Sequence, residues 1–235
     1  MRLKCSHELC AAVVLGVMST NAQNRADTPI RYVAIGDSYS IGEGASPNES
    51  WPAVLTKHLK ARGIAIDLVA NPSVTGWTTQ DAIDRELPVF RKSNPTLGTL
   101  LIGVNDWVQG VDADTFRKNF TFLVDQMLEI VREKHGLFVV TIPDFGVTPT
   151  GAKYARGRNI SEGIASFNKI IFEESKKRGL RVVDIFELSK KMGGEPSLVA
   201  ADGLHPSAKE YAEWEKIIFP VALELLKRTT ASTNH

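Results

Sequence analysis

Two cysteines are all that this 235-residue chain contains, and both, Cys5 and Cys10, fall within its first ten positions. The remainder therefore has no disulfide, no thiol and no cysteine-held metal, so packing has to stabilise it. Charge of one sign is also missing: 28 lysines and arginines face 27 aspartates and glutamates, with no block of either. That balance excludes the electrostatic footprint of a nucleic-acid binder and favours a small, weakly charged partner. No apolar run reaches the roughly twenty residues that a membrane-spanning helix needs, so no stable membrane span is expected. Low-complexity tracts, internal repeats and dividing linkers are absent, and 43% hydrophobic against 23% charged residues suits one buried core.

What is present begins with a leader pattern. Arg2 and Lys4 precede an apolar run from Leu9 to Met18, followed by the small polar stretch Ser19-Thr20-Asn21-Ala22. This is the layout of a secretory signal peptide over residues 1–22, with cleavage expected near Ala22 and a secreted or periplasmic product. The cut removes both cysteines with Arg2, Lys4 and Glu8, leaving no net charge with histidines neutral. A single domain is expected over 23–235, with its core over about 30–228.

Five short runs rich in valine, isoleucine and leucine follow: Ile30 to Gly36, Ile64 to Ala70, Thr96 to Ile102, Leu137 to Ile142 and Leu180 to Ile185. Their lack of polar alternation predicts strands covered on both faces, and their alternation with helical segments predicts a parallel sheet of an α/β protein. Phe116, Phe120, Leu123, Met127, Ile130 and Val131 recur at helical spacing, behind a cap at Asp112 or Asp114. Ile160, Ile164, Phe167 and Ile171 form a second stripe, and Ile217, Val221 and Leu225 mark a last helix. Arg62-Gly63-Ile64, His135-Gly136-Leu137 and Arg178-Gly179-Leu180 predict helix ends with a glycine at positive φ. Pro143 to Arg158 lacks a period and is expected to be a mobile loop over a site; the tail after Lys227 is expected to fray.

In open parallel sheets, functional residues gather at the carboxyl ends of strands. There the chain reads Gly36-Asp37-Ser38-Tyr39-Ser40 and Gly103-Val104-Asn105-Asp106, and a late loop reads Asp202-Gly203-Leu204-His205-Pro206. A serine hydroxyl on such a turn needs a base, and His205 can supply it. Asp202, three residues earlier, can accept from Nδ1 and leave Nε2 facing the serine. Ser40 stands where Gly-x-Ser-x-Gly needs its second glycine, which argues against the ordinary α/β-hydrolase elbow. Taken singly, Ser38 reads as a turn or capping serine and Gly76 as a loop glycine; the case rests on the set.

That set, Gly36-Asp37-Ser38, Gly76, Gly103-Val104-Asn105-Asp106 and Asp202-Gly203-Leu204-His205-Pro206, resembles the ordered blocks of the SGNH/GDSL hydrolases. The resemblance implies a three-layer α/β/α sandwich, flavodoxin-like, with about five parallel strands. It also implies an oxyanion hole formed by the Ser38 amide, the Gly76 amide and the Asn105 side chain. The activity implied is serine-dependent hydrolysis of small or lipid carboxylic esters through an acyl-enzyme, without metal or organic cofactor. Carbohydrate O-deacetylation by the same mechanism, or a non-catalytic glycan- or lipid-binding module, are the rivals. Trp77, Trp107, Phe145 and Tyr154 flank the motif loops and either line a substrate pocket or pack between loops. Asp37 and Asp106 are expected to bind loop main chain. His58 and His135 are expected to be solvated near helix ends, and Trp51 and Trp214 to cover the core.

Overall fold

A computed structural model describes residues 28–132 and 136–232. The leader over 1–22, His135 and His235 lie outside the described residues. In chain order the main elements are β1 (Ile30–Gly36), α1 (Ser38–Ile41), α2 (Trp51–Ala61), β2 (Ile66–Ala70) and α3 (Thr79–Asp81). A π turn (Ala82–Glu86), α4 (Leu87–Ser93), β3 (Leu97–Leu101), α5 (Val104–Gln109), α6 (Ala113–Val131) and β4 (Leu137–Val140) follow. The chain closes with α7 (Ile160–Lys177), β5 (Arg181–Val183), α8 (Phe186–Ser189) and α9 (Ala208–Ser232).

The five strands form one sheet in the order β2-β1-β3-β4-β5, every pair parallel. This is the flavodoxin-like order, and its topological switch point lies between β1 and β3, where a crevice opens at the strands' carboxyl ends. The interior strands are apolar on both sides because helices cover both faces: α2 packs with α9 on one, and α4, α6 and α7 pack in series on the other. The one polar pair buried between β1 and β3 is satisfied, Tyr32 Oη lying 2.8 Å from Thr99 Oγ1.

The stripe on α6 is buried as its spacing predicts, except that Ile130 is only half-buried. Asp112, not Asp114, caps the helix, accepting from the Asp114 and Thr115 amides. Phe116 stacks on Phe167 of α7 at 4.3 Å, and Arg117 to Glu173 and Glu174, with Arg178 to Asp125, tie the two helices at their rim. The expected face of the last helix is corrected: α9 buries Tyr211, Trp214, Ile218, Ala222 and Leu225, while Ile217 is exposed. The bulky aromatics Trp214 and Tyr211, four and seven residues before Ile218, choose the buried face, and Ile217 falls one residue off it. The helix also continues past Lys227 to Ser232.

Gly63 and Gly179 adopt positive φ as expected, but Gly136 does not; Arg132 takes the left-handed position at φ 62° and ends α6 instead. Gly136 is small for another reason: a side-chain carbon there would come within 2.8 Å of the Thr96 carbonyl oxygen.

Candidate active site

The turn after β1 is built around two constraints. A side chain at Gly36 would collide with the Leu101 carbonyl of β3 and with Ser40 Oγ, so glycine lets the strand end tightly against its neighbour. Asp37 then caps α1, its Oδ1 accepting the Tyr39 amide at 3.0 Å, the main-chain role its position predicts. Ser38 is the first residue of α1 and retains 4% exposure, at the mouth of the crevice. Tyr39 turns inward, edge-on to Trp214 at 5.8 Å and to the His205 ring at 6.1 Å.

His205 comes from the loop before α9, and the Asp202 side chain makes three bonds within that loop. Its Oδ1 accepts the Leu204 and His205 amides at 2.8 and 3.0 Å, and its Oδ2 lies 2.6 Å from His205 Nδ1. Partial burial works against the aspartate's charge, but the bonds from His205 and the two amides outweigh it and hold the carboxyl below its usual range. An acceptor at Nδ1 fixes the proton there and leaves Nε2 as the basic nitrogen. The segment after α1 abuts this loop: a side-chain carbon at Gly44 would lie 2.7 Å from the Pro206 carbonyl and 3.2 Å from His205 Cβ.

The Pro143 to Arg158 connection braces the same loop. Thr150 donates its amide to the Gly203 carbonyl at 2.8 Å and its hydroxyl to the Asp202 carbonyl at 3.1 Å. Two short 3₁₀ turns, Phe145–Val147 and Gly151–Tyr154, and a bond from the Asp144 amide to Ser189 Oγ at 2.7 Å hold it in place.

Gly76 is exposed, with φ of 89° and no neighbouring atom where a side chain would stand. Its loop is fastened by the segment after β3. Asn105 Nδ2 donates to the Trp77 carbonyl at 2.9 Å, Gln109 Nε2 to the Gly76 carbonyl at 3.3 Å, and Asp106 accepts both the amide and the hydroxyl of Thr79. Asn105 has a second amide hydrogen beyond the one given to Trp77. Gln109, Thr79 and Thr150 carry no sequence signal, because each acts through a contact between segments distant in the chain.

Of the four aromatics, Trp107 (5% exposed) and Phe145 (2%) pack edge to face at 6.0 Å between the loops and present little surface to a ligand. Arg158 pins them, its guanidinium 3.9 Å from the Trp107 ring and its Nη1 donating to the Trp107 carbonyl at 2.7 Å. Trp77 and Tyr154 are half-buried and face outward in part. Trp51 and Trp214 are core residues. His58 lies elsewhere, with Nδ1 2.9 Å from Glu215 in the seam of α2 and α9.

At the turn after β1, Asp37 and Glu86 are fully buried, and burial pushes both carboxyls up to about 8. Burial raises Asp106 as well, against the lowering effect of its bonds to Thr79. Among the described residues, no group of three or more His, Cys, Asp or Glu is placed to hold a metal, and no helix is long and apolar enough to cross a membrane.

A flavodoxin-like sheet with a serine at the end of its first strand, an asparagine after its third and an aspartate-held histidine before its last helix has the layout of an SGNH-type hydrolase. Residues 34–212 match the GDSL-like lipase/acylhydrolase family. The chain belongs to that family, and is an ester hydrolase. An arylesterase from Vibrio mimicus is 25% identical over 197 residues, which cover 84% of this chain and 88% of that protein. The fold is also that of TesA, with a TM-score of 0.68 at 20% identity over 83% of this chain and 99% of the other. The family 3 carbohydrate esterase of Clostridium thermocellum gives a TM-score of 0.68 at 20% identity, covering 86% and 99%.

Proposed function

We propose that the protein is a serine esterase that works through an acyl-enzyme on small carboxylic esters, with Ser38 as nucleophile and His205 as general base. The Asp202–His205 hydrogen bond at 2.6 Å, set against the nucleophile turn, carries this reading. Ser38 Oγ attacks the ester carbonyl as Nε2 takes its proton. The oxyanion is received by the Ser38 amide, the Gly76 amide and the second hydrogen of Asn105 Nδ2. The intermediate expels the alcohol with the proton from His205, and water then enters by the same base to free the acid.

The same proposal keeps the leader at Arg2, Lys4 and Leu9 to Met18 as an export signal, so the mature enzyme meets its substrate outside the cytoplasm. Because Trp107 and Phe145 are buried against each other, little is left of a long acyl channel between their loops. Short acyl groups follow, with an aromatic or sugar alcohol outside. The Vibrio mimicus relative, an arylesterase, favours the aromatic alcohol; likeness to the Clostridium thermocellum carbohydrate esterase makes an acetylated glycan the second reading.

Hydrolysis of p-nitrophenyl esters from acetate to palmitate, followed by acetylated xylan, tests this. Turnover is expected to be fastest on acetate and to fall with chain length. Turnover on the glycan alone would select the deacetylase, and none on either would leave a binding module. Asn105→Ala is expected to lower kcat about 100- to 1000-fold with KM little changed, since its donor serves the oxyanion and not the ground state. A loss confined to KM would remove Asn105 from the oxyanion site.

A further inference from the structure

β1 ends at Gly36, whose amide donates to Glu86 Oε2 at 3.0 Å, and the helix that carries Ser38 is capped by the next residue. Glu86 closes the π turn Ala82–Glu86. That turn has a local cause: Pro88 has no N–H to continue the α-helical ladder, and its ring crowds the carbonyl one turn back, so the helix widens just before it. The widening places a glutamate of the helical layer against the end of β1.

The site it enters is buried and acidic. Glu86 and Asp37 are fully buried, Asp37 Oδ2 has no hydrogen-bond partner, and beside the Gly36 amide the polar group that acts on Glu86 is the buried Ser73 hydroxyl, which lowers its carboxyl less than burial raises it. The charged groups that act on Glu86 are Asp37 and Asp81, with Asp106 acting on Asp37 in turn, and all are acids. Carboxylates buried side by side are costly to ionise together.

We propose that Glu86 is a positioning residue for ester hydrolysis: an uncharged carboxyl that anchors the Gly36 amide, fixes the turn presenting Ser38, and keeps negative charge from beneath the oxyanion. The inference rests on Ser38 being the nucleophile. Catalysis creates a new anion beside the Ser38 amide, two residues from Gly36, and a second anion under that turn would oppose it.

Burial, with Asp37 adding to it, pushes the Glu86 carboxyl up to about 8, so the proton is present at neutral pH and leaves on the alkaline side. The neutral form favours the fold. Its contribution is complete below the ordinary carboxylate pKa and is lost as pH rises through about 8.

The test measures kcat and KM for p-nitrophenyl acetate, with thermal unfolding, from about pH 6 to about pH 10 in wild type, Glu86→Gln and Glu86→Ala. In wild type kcat is expected to fall through about 8 at constant KM. Glu86→Ala orphans the Gly36 amide and is expected to lower kcat at neutral pH by roughly 10- to 100-fold. Glu86→Gln keeps an acceptor that cannot ionise, so it recovers most of that loss, reduces the alkaline fall in kcat to the part owed to Asp37, whose carboxyl is also pushed up to about 8, and unfolds with a weaker pH dependence than wild type. An alkaline fall unchanged in Glu86→Gln, or a folded Glu86→Ala with the kcat of wild type, would overturn the inference; should the alanine variant not fold, the glutamine comparison decides. Wild type that neither turns over esters nor reacts with a fluorophosphonate would overturn the nucleophile reading and this inference with it. Normal wild-type turnover with indifferent Glu86 variants would overturn this inference alone.

Discussion

Ser38→Ala is expected to reduce kcat on p-nitrophenyl acetate by on the order of a million-fold, leaving only what the oxyanion donors and binding provide. The side chain does no structural work that would confuse the result. Asp37 caps α1 through Tyr39, not through Ser38, and the Ser38 main chain holds the Gly42 and Glu43 amides by its carbonyl. Both survive the substitution, so the variant should unfold within about 1 kcal/mol of wild type. What disappears is the single oxygen that can form the acyl-enzyme. A loss of less than about 100-fold in the folded variant would point to a water nucleophile or to another serine.

Asp202→Asn is the second large effect, expected at about 100- to 10,000-fold in kcat with KM little changed. The substitution is close to isosteric, and an asparagine Oδ1 can still accept the Leu204 and His205 amides, so the loop keeps its shape. The atom that changes is the one facing Nδ1. An NH₂ group there forces the imidazole into the other tautomer, with the proton on Nε2, where it can no longer accept from Ser38. The range is wide because the Asp202 side chain is 43% exposed, and water can partly restore the acceptor. Asp202→Ala removes the loop's acceptors as well and should cost at least as much, with a lower melting temperature. A variant in which Asp202→Asn retains turnover would mean that the Thr150 and Ala200 contacts alone orient His205.

The sheet was legible because each strand is covered on both faces. Unbroken apolar runs such as Tyr32 to Ile35 and Leu137 to Val140 are what strands buried on both faces require. Ends were less legible, since they depend on partners elsewhere. β4 stops at Val140, before the predicted Ile142, where Asn168 of α7 brackets Ile142 by its amide and carbonyl at 2.8 Å each. Gly136 and Arg132 exchange roles for a similar reason: the close approach of Thr96 is a tertiary fact.

Within the site, Asp202 and His205 were legible from spacing, because a three-residue separation before a helix lets one carboxylate hold both the loop amides and the ring. Gly76 was not legible by itself, one loop glycine among many, and entered only with the family's pattern. Glu86 escaped altogether. Its segment reads as ordinary helix, and only Pro88, two residues on, marks the place where the helix widens and turns a glutamate inward.

The central claim is that Ser38 is an activated nucleophile. Its most direct test is reaction of the folded protein with a fluorophosphonate at neutral pH, with the modified peptide located by mass spectrometry. One adduct on Ser38, lost in Ser38→Ala and slowed in His205→Ala and Asp202→Asn, is the expected result. An adduct on a different residue, or none on folded protein, would contradict it.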